Sequence, residues 1–203
     1  MKILDGKHAP NPRRVRIFLA EKGIEIPLEQ VDITKFEHMT DEFGALNPMQ
    51  RIPVLIMDDG TALSESVAIC RYFEELQPEP CLMGSGALGK AQVEMWNRRM
   101  EMSLMMPVAM VFRHTHPAMA ELENPQLGEW ADINRPRVME AVRVLNDRLG
   151  ESAHVAGDDF TIADITAIVA VDFMRPARLA IPEDHTHLLA WVEKMRARPS
   201  MTA

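Results

Sequence analysis

Several common chemistries are excluded by residues the chain is short of. Its 203 residues include two cysteines, Cys70 and Cys81, and one tyrosine, Tyr72. Two thiols cannot build a disulfide framework or a four-ligand zinc site, and no C-x-x-C pair is present. Basic residues are in deficit, 22 Lys and Arg against 30 Asp and Glu, a formal net charge of −8. That balance repels phosphate backbones and no basic stretch offsets it, so no nucleic-acid partner is expected. Long apolar runs are missing too. The longest without proline covers residues 165–171, broken by Thr166, far short of a membrane span. Lys2, Asp5 and Lys7 interrupt the start of the chain, so no signal peptide is expected there. The composition, 47% hydrophobic and 26% charged, is that of a globular protein with one large domain or two small ones. A cytoplasmic protein that keeps off membranes is expected.

What is present changes character near residue 80. Short apolar runs at 1–4, 28–33, 53–57 and 61–63 read as strands, the last two joined by Asp59-Gly60, a pair that favours a tight hairpin turn. Between the first two lies a helix with both ends marked. Asn11 is placed to cap it, Pro12 suits its first position and Gly23 suits the left-handed stop. A second helix is expected over 66–76. The order describes an α+β unit of residues 1–80. Residues 77–86 hold two prolines and two glycines and read as a linker. Beyond it, residues 87–203 read as all-helical. One pattern covers 88–112, interrupted or kinked at Pro107, and another covers 131–149. Thr161-Ile-Ala-Asp164 is a capping box flanked by a Phe160/Ile165 staple, opening a helix apolar nearly all round.

Four segments carry a family resemblance. Ala9-Pro-Asn-Pro-Arg-Arg-Val-Arg-Ile-Phe-Leu-Ala-Glu-Lys-Gly23 resembles the first loop and helix of the cytosolic glutathione S-transferases. Asn47-Pro-Met-Gln-Arg-Ile-Pro-Val-Leu55 is similar to their asparagine-proline…valine-proline segment, and Leu63-Ser-Glu-Ser-Val-Ala-Ile69 to their glutamate-serine motif. The box at Thr161–Asp164 matches the one in their helical domain. The resemblance implies a thioredoxin-like N-terminal domain, an all-α C-terminal domain and usually a homodimer. It further implies glutathione as co-substrate, no metal, a detoxifying role and a cis Pro53 that sets the Ile52 backbone against the cysteinyl part of glutathione.

Each candidate site residue has a plainer alternative. Glu65 and Ser66, at a strand-to-helix turn, would hold the γ-glutamyl amine and carboxylate, or else merely cap the helix. His38 and Arg51 are candidates for the glycyl carboxylate, where a charge-assisted bond is worth about 1.5–3 kcal/mol, or are solvated loop residues. At the thiol position the pattern is broken. Ala9 stands where many relatives place serine or threonine, and no tyrosine or cysteine is near. Asn11 remains, similar to the asparagine of the nu-type enzymes, either as N-cap or as amide donor to a glutathione thiolate. Helix dipole and one such bond together supply about 2–4 kcal/mol, enough to lower a thiol pKa by about two units. In the helical part, Met106 and Met110 are candidates for contacts to a second, hydrophobic substrate, or belong to core or interface. Arg113 and His114 would polarise an electrophile, or lie on a surface loop. The His-Thr-His triplets at 114–116 and 185–187 lack ligand spacing, and no metal site is expected.

The expected function is transfer of glutathione, bound as thiolate, to a small electrophile. The alternatives are a nu-type glutathione-dependent disulfide reductase or peroxidase, and a non-catalytic binding protein of this fold, which Ala9 brings into play.

Overall fold

Ile3 and Leu4 point to opposite faces of strand β1 (Lys2–Asp5), and both are buried, so the strand is covered on each side. The structure, a computed structural model, describes all 203 residues. Helix α1 (Pro10–Lys22) follows, burying Val15, Ile17, Phe18 and Leu19. Gly23 closes it at φ 65°, the left-handed stop expected from sequence. Its start differs from expectation. Ala9 is the N-cap, without a side-chain bond, and Asn11 lies inside the first turn. Both registers suit the proline pattern, because a helix tolerates proline anywhere in its first turn.

Strand β2 (Leu28–Gln30) pairs parallel with β1, Ile3 opposite Leu28. It ends sooner than its apolar run, because the Asp32 carboxylate accepts the Thr34 N–H at 2.9 Å and folds residues Ile33–Lys35 into a 3₁₀ turn. A second such turn, Glu37–Met39, leads to helix α2 (Asp41–Leu46), capped by the Thr40 hydroxyl. Strand β3 (Val54–Ile56) pairs antiparallel with β1, and β4 (Ala62–Ser64) with β3 across a turn where Gly60 takes φ 86°. The sheet order is β2-β1-β3-β4. Helix α3 (Ser66–Leu76) packs on α1, while Leu4 and Val54 cluster with Phe43 of α2. The sheet is therefore sandwiched between helices, as a thioredoxin-like domain requires.

The last residue of α1 fastens the segment beyond α3. The Lys22 ammonium donates to the carbonyls of Gln77 (2.8 Å), Pro78 (3.2 Å) and Pro80 (2.6 Å) and pairs with Glu74 at 2.5 Å. Its side chain is wholly buried. This clasp ends one compact unit, Met1–Leu82 with Thr202–Ala203, and Met83–Met201 form the other.

The second unit is helical: α4 (Gly86–Arg99), α5 (Met106–Thr115), α6 (Gly128–Glu151), α7 (Ile162–Met174) and α8 (Thr186–Arg196). The expected interruption or kink near Pro107 takes the form of a π-helical passage over Met100–Met105, where the Met106 N–H reaches back to the Glu101 carbonyl. The widened turn lets α4 run into α5 past a proline that has no N–H to give. Helix α7 is buried from Ile162 through Val171. Its capping box is formed: the Thr161 hydroxyl accepts the Ala163 N–H, and Asp164 Oδ2 accepts the Thr161 N–H at 3.0 Å. Asp164 Oδ1 also accepts the Val155 N–H at 3.0 Å and lies 3.2 Å from His154 Nδ1. No helix is long and apolar enough to cross a membrane.

Candidate functional site

The first turn of α1 has few backbone donors. Pro10 and Pro12 have no N–H, and the Arg13 N–H is taken by the Ala9 carbonyl at 3.2 Å. Asn11 alone brings a free backbone N–H, and its exposed side chain makes no capping bond. Positive dipole, one backbone N–H and one amide NH₂ thus converge on a single residue.

Residues 47–53 come next to that turn. Asn47, 1% exposed, donates its amide to the Arg51 carbonyl at 2.7 Å and accepts the Met49 N–H at 3.1 Å. The two bonds fix the loop that enters Pro53, whose peptide with Ile52 is cis. The Ile52 side chain packs against Gly6 so closely that a Cβ there would overlap Ile52 Cδ1 and meet Ala9 Cβ at 3.6 Å. Glycine at position 6 is what lets the two loops touch.

At the start of α3, Glu65 occupies φ 69°, ψ 113°, a conformation that costs a non-glycine residue about 1–3 kcal/mol. It makes no capping bond, so plain capping does not account for it. Ser66 is buried, and its hydroxyl accepts from Arg14 Nη1 at 2.9 Å. Arg14 itself is 0% exposed. Sequence reasoning missed it, since arginine is ordinarily a surface residue and Ser66 lies far away along the chain. Cys70, one turn below Ser66, is fully buried, which pushes its thiol up to about 12 and removes it as a nucleophile.

His38 and Arg51 are brought together. His38 is 4% exposed, and its Nδ1 is buried with no hydrogen-bond partner. Burial, then the charge of Arg51, hold its imidazole below the usual value. A carboxylate placed beside the pair would meet the Arg51 guanidinium and favour the charged form of the imidazole. Phe36 and Gln50, at φ 60° and φ 50°, bend the two loops that carry the pair.

In the helical unit, Met106 and Met110 line an open groove of about 1020 Å³ with Met102, Trp130 and Ile133. Arg113 and His114 are not part of it. Arg113 Nε donates to Glu123 Oε2 at 2.5 Å. His114 Nδ1 accepts the Leu127 N–H at 3.2 Å, and its Nε2 lies 3.8 Å from Glu123 Oε1. Both hold down the loop between α5 and α6. His116 Nδ1 accepts the Ala118 N–H, and no group of three or more His, Cys, Asp or Glu side chains gathers as a metal would need.

Comparison with known proteins bears on the family and the fold. The profile described as "Glutathione S-transferase, N-terminal domain" matches residues 8–76, and "Glutathione S-transferase, C-terminal domain" matches residues 102–199. The chain is 37% identical to glutathione S-transferase 2 of Saccharomyces cerevisiae, covering 99% of this chain and 88% of that protein. Among solved structures, a glutathione S-transferase domain-containing protein of Marinobacter aquaeolei superposes with TM-score 0.96 at 39% identity, over 99% of this chain and 100% of that one. Gtt2 of Saccharomyces cerevisiae superposes with TM-score 0.95 at 37% identity, over 100% of this chain and 99% of the other.

Proposed function

Because the chain belongs to the glutathione S-transferase family, we propose that it is a glutathione transferase that binds glutathione as thiolate and passes it to a small electrophile. The observation that carries the reading is Glu65, held at φ 69° beside a buried Ser66 and free of any capping duty. Strain of that kind is kept where the surroundings gain from it, and here the gain is a carboxylate for an ammonium next to helix N–H groups for a carboxylate. Glutathione then lies with its γ-glutamyl end on Glu65 and Ser66, its cysteinyl peptide on Ile52 before Pro53, its glycyl end on His38 and Arg51, and its sulfur at Asn11.

Asn11 lowers the thiol pKa by giving the thiolate a hydrogen bond at the positive end of α1. The thiolate attacks the electrophilic carbon, the carbon–leaving-group bond breaks, and the leaving group departs with the electron pair. No covalent enzyme intermediate forms, because Cys70 is buried and no other nucleophile is at the sulfur. Met106 and Met110 are the candidates for second-substrate contacts, with Arg113 and His114 acting through the loop they hold. On this reading the protein acts in the cytoplasm as a homodimer. Asn11, similar to the asparagine of the nu-type enzymes, supports a second reading, reduction of glutathione mixed disulfides, in which the same thiolate attacks sulfur instead of carbon.

Calorimetric titration with reduced glutathione, beside Glu65→Ala/Ser66→Ala, tests the site. Micromolar-to-millimolar binding lost in the variant is expected; a wild type that does not bind overturns the reading. Asn11→Ala should then lower turnover of an aryl halide about tenfold or more while changing glutathione affinity little. An unchanged rate would remove Asn11 from the mechanism, and turnover of a mixed disulfide but not the halide would favour the reductase.

A further inference from the structure

The turn that carries Ala9 and Asn11 is itself held by a closed ring of hydrogen bonds. Asp5, the last residue of β1, is 1% exposed. Its Oδ1 accepts from Arg16 Nη1 at 2.5 Å and its Oδ2 from Gln30 Nε2 at 2.6 Å. Arg16 Nη2 then donates to the Lys7 carbonyl at 3.0 Å, while Gln30 Oε1 accepts the Lys7 N–H at 3.0 Å. One carboxylate therefore orients two side chains, from α1 and β2, that grip both sides of the residue midway between β1 and α1. The Val31 N–H on the Asp5 carbonyl (2.7 Å) and the Ala9 N–H on the Gly6 carbonyl (2.9 Å) tie the same turn at its two ends.

We propose that Asp5 is a positioning residue for the thiol-binding turn, setting through Arg16 and Gln30 where the α1 N-terminus and Asn11 meet the glutathione sulfur. The inference rests on the reading that the sulfur lies at Asn11. Asp5 touches no substrate. Its contribution is directional: a carboxylate only accepts, so Gln30 must turn its NH₂ toward Asp5 and its carbonyl toward Lys7, whose N–H only donates. An amide at position 5 breaks this logic. With Asn there, the NH₂ left after Arg16 is served faces the Gln30 NH₂. Flipping Gln30 to relieve that contact sets its NH₂ against the Lys7 N–H. One link fails in either orientation. Exchanging the two chemistries restores the ring, because Asn at 5 donates to a Glu at 30, whose other oxygen accepts the Lys7 N–H.

The experiment compares wild type, Asp5→Asn, Gln30→Leu and Asp5→Asn/Gln30→Glu. It reads glutathione affinity by calorimetry and the ionisation of bound glutathione by its ultraviolet thiolate absorbance across pH. Asp5→Asn is expected to raise the pKa of the bound thiol by about one unit, a tenfold loss of thiolate below that pKa. Affinity below the thiol's titration range should stay within about threefold, since the γ-glutamyl and glycyl contacts are elsewhere. Gln30→Leu, at an exposed position, should shift the thiol the same way by less, and it carries the test if Asp5→Asn does not fold. The double variant should return to within about threefold of wild type. A merely structural Asp5 would lower the melting temperature and leave the bound thiol's pKa unmoved, which would overturn the proposal. So would a folded double variant that behaves like Asp5→Asn. A wild type that does not bind glutathione at all would instead remove the underlying reading, and this proposal with it.

Discussion

His38 has the makings of a proton-linked ligand contact. Burial, and then the neighbouring Arg51, keep its imidazole below the usual 6.5, so it is neutral in the free protein at neutral pH. The unfolded chain takes up this proton first as pH falls. Stability from this residue is therefore complete above 6.5 and declines below it until the folded group also protonates. A bound glycyl carboxylate reverses the local balance, favouring the imidazolium, so binding takes up a proton and tightens as pH drops. S-methylglutathione, which has no ionisable thiol, isolates the effect: its affinity should rise about three- to tenfold from pH 8 to pH 6 in wild type. In His38→Gln the profile should be flat, and equal slopes in the two proteins would sink the assignment. This residue was legible in sequence as a polar side chain in a family position. Its orphaned Nδ1 was not, because that depends on which atoms fill the space around it. Asn11 was legible as a residue with two readings, and the capping one gave way to Ala9, since prolines at both 10 and 12 allow two helix registers. Arg14 was missed altogether, its partner Ser66 being 52 residues away.

Helix boundaries separate along the same line between local and distant causes. The start of α7 could be read off four adjacent residues, because the box is made by the segment on itself. What the box reading lacked was the second half of Asp164's work, the Val155 N–H and His154 ring delivered by an irregular loop. Those bonds make Asp164 the costlier residue. Asp164→Ala leaves two buried N–H groups without acceptors and should destabilise by about 3 kcal/mol, against about 1 for Thr161→Ala. Urea unfolding midpoints of the two variants measure the difference, and equal small shifts would show that the loop finds other acceptors. Strand β2 ended before its apolar run because the Asp32 carboxylate took the N–H of Thr34, two residues on, a competition that hydrophobic pattern does not register. The π-helical passage over Met100–Met105 was legible only as a proline that ought to disturb a helix. Which way the helix absorbs it is decided by packing around Leu104 and Met105, both buried.

At the scale of the whole molecule, the helical unit exposes more apolar surface than a solvated bundle needs. Met102 is 59% exposed, Met106 51%, Ile133 49% and Trp130 39%, all on one groove. A contiguous patch of that kind marks a contact surface, and its two candidate occupants are a second copy of the chain and the second substrate. Sedimentation should give a dimer for wild type and a monomer for Met102→Lys/Ile133→Lys. A variant that stays dimeric but binds a hydrophobic electrophile less well would assign the groove to the second substrate instead. The alternation of strand and helix, followed by a purely helical stretch, was enough to read both halves of the chain from sequence, since each half's pattern reflects its own core.

The Lys22 clasp has a consequence for how the chain can be treated chemically. Three peptide carbonyls and a carboxylate around one positive charge form an all-oxygen cage of the sort that holds a hard cation. Here the cation is covalently part of the fold. The joint needs no loading from solution, and no chelator can empty it. An amine-reactive reagent meets it differently in the two states of the chain. In the folded protein the ammonium is sealed off, whereas in the unfolded chain it is acylated like any other lysine. The cage would then close on a neutral, larger group with no charge to offer its four oxygens.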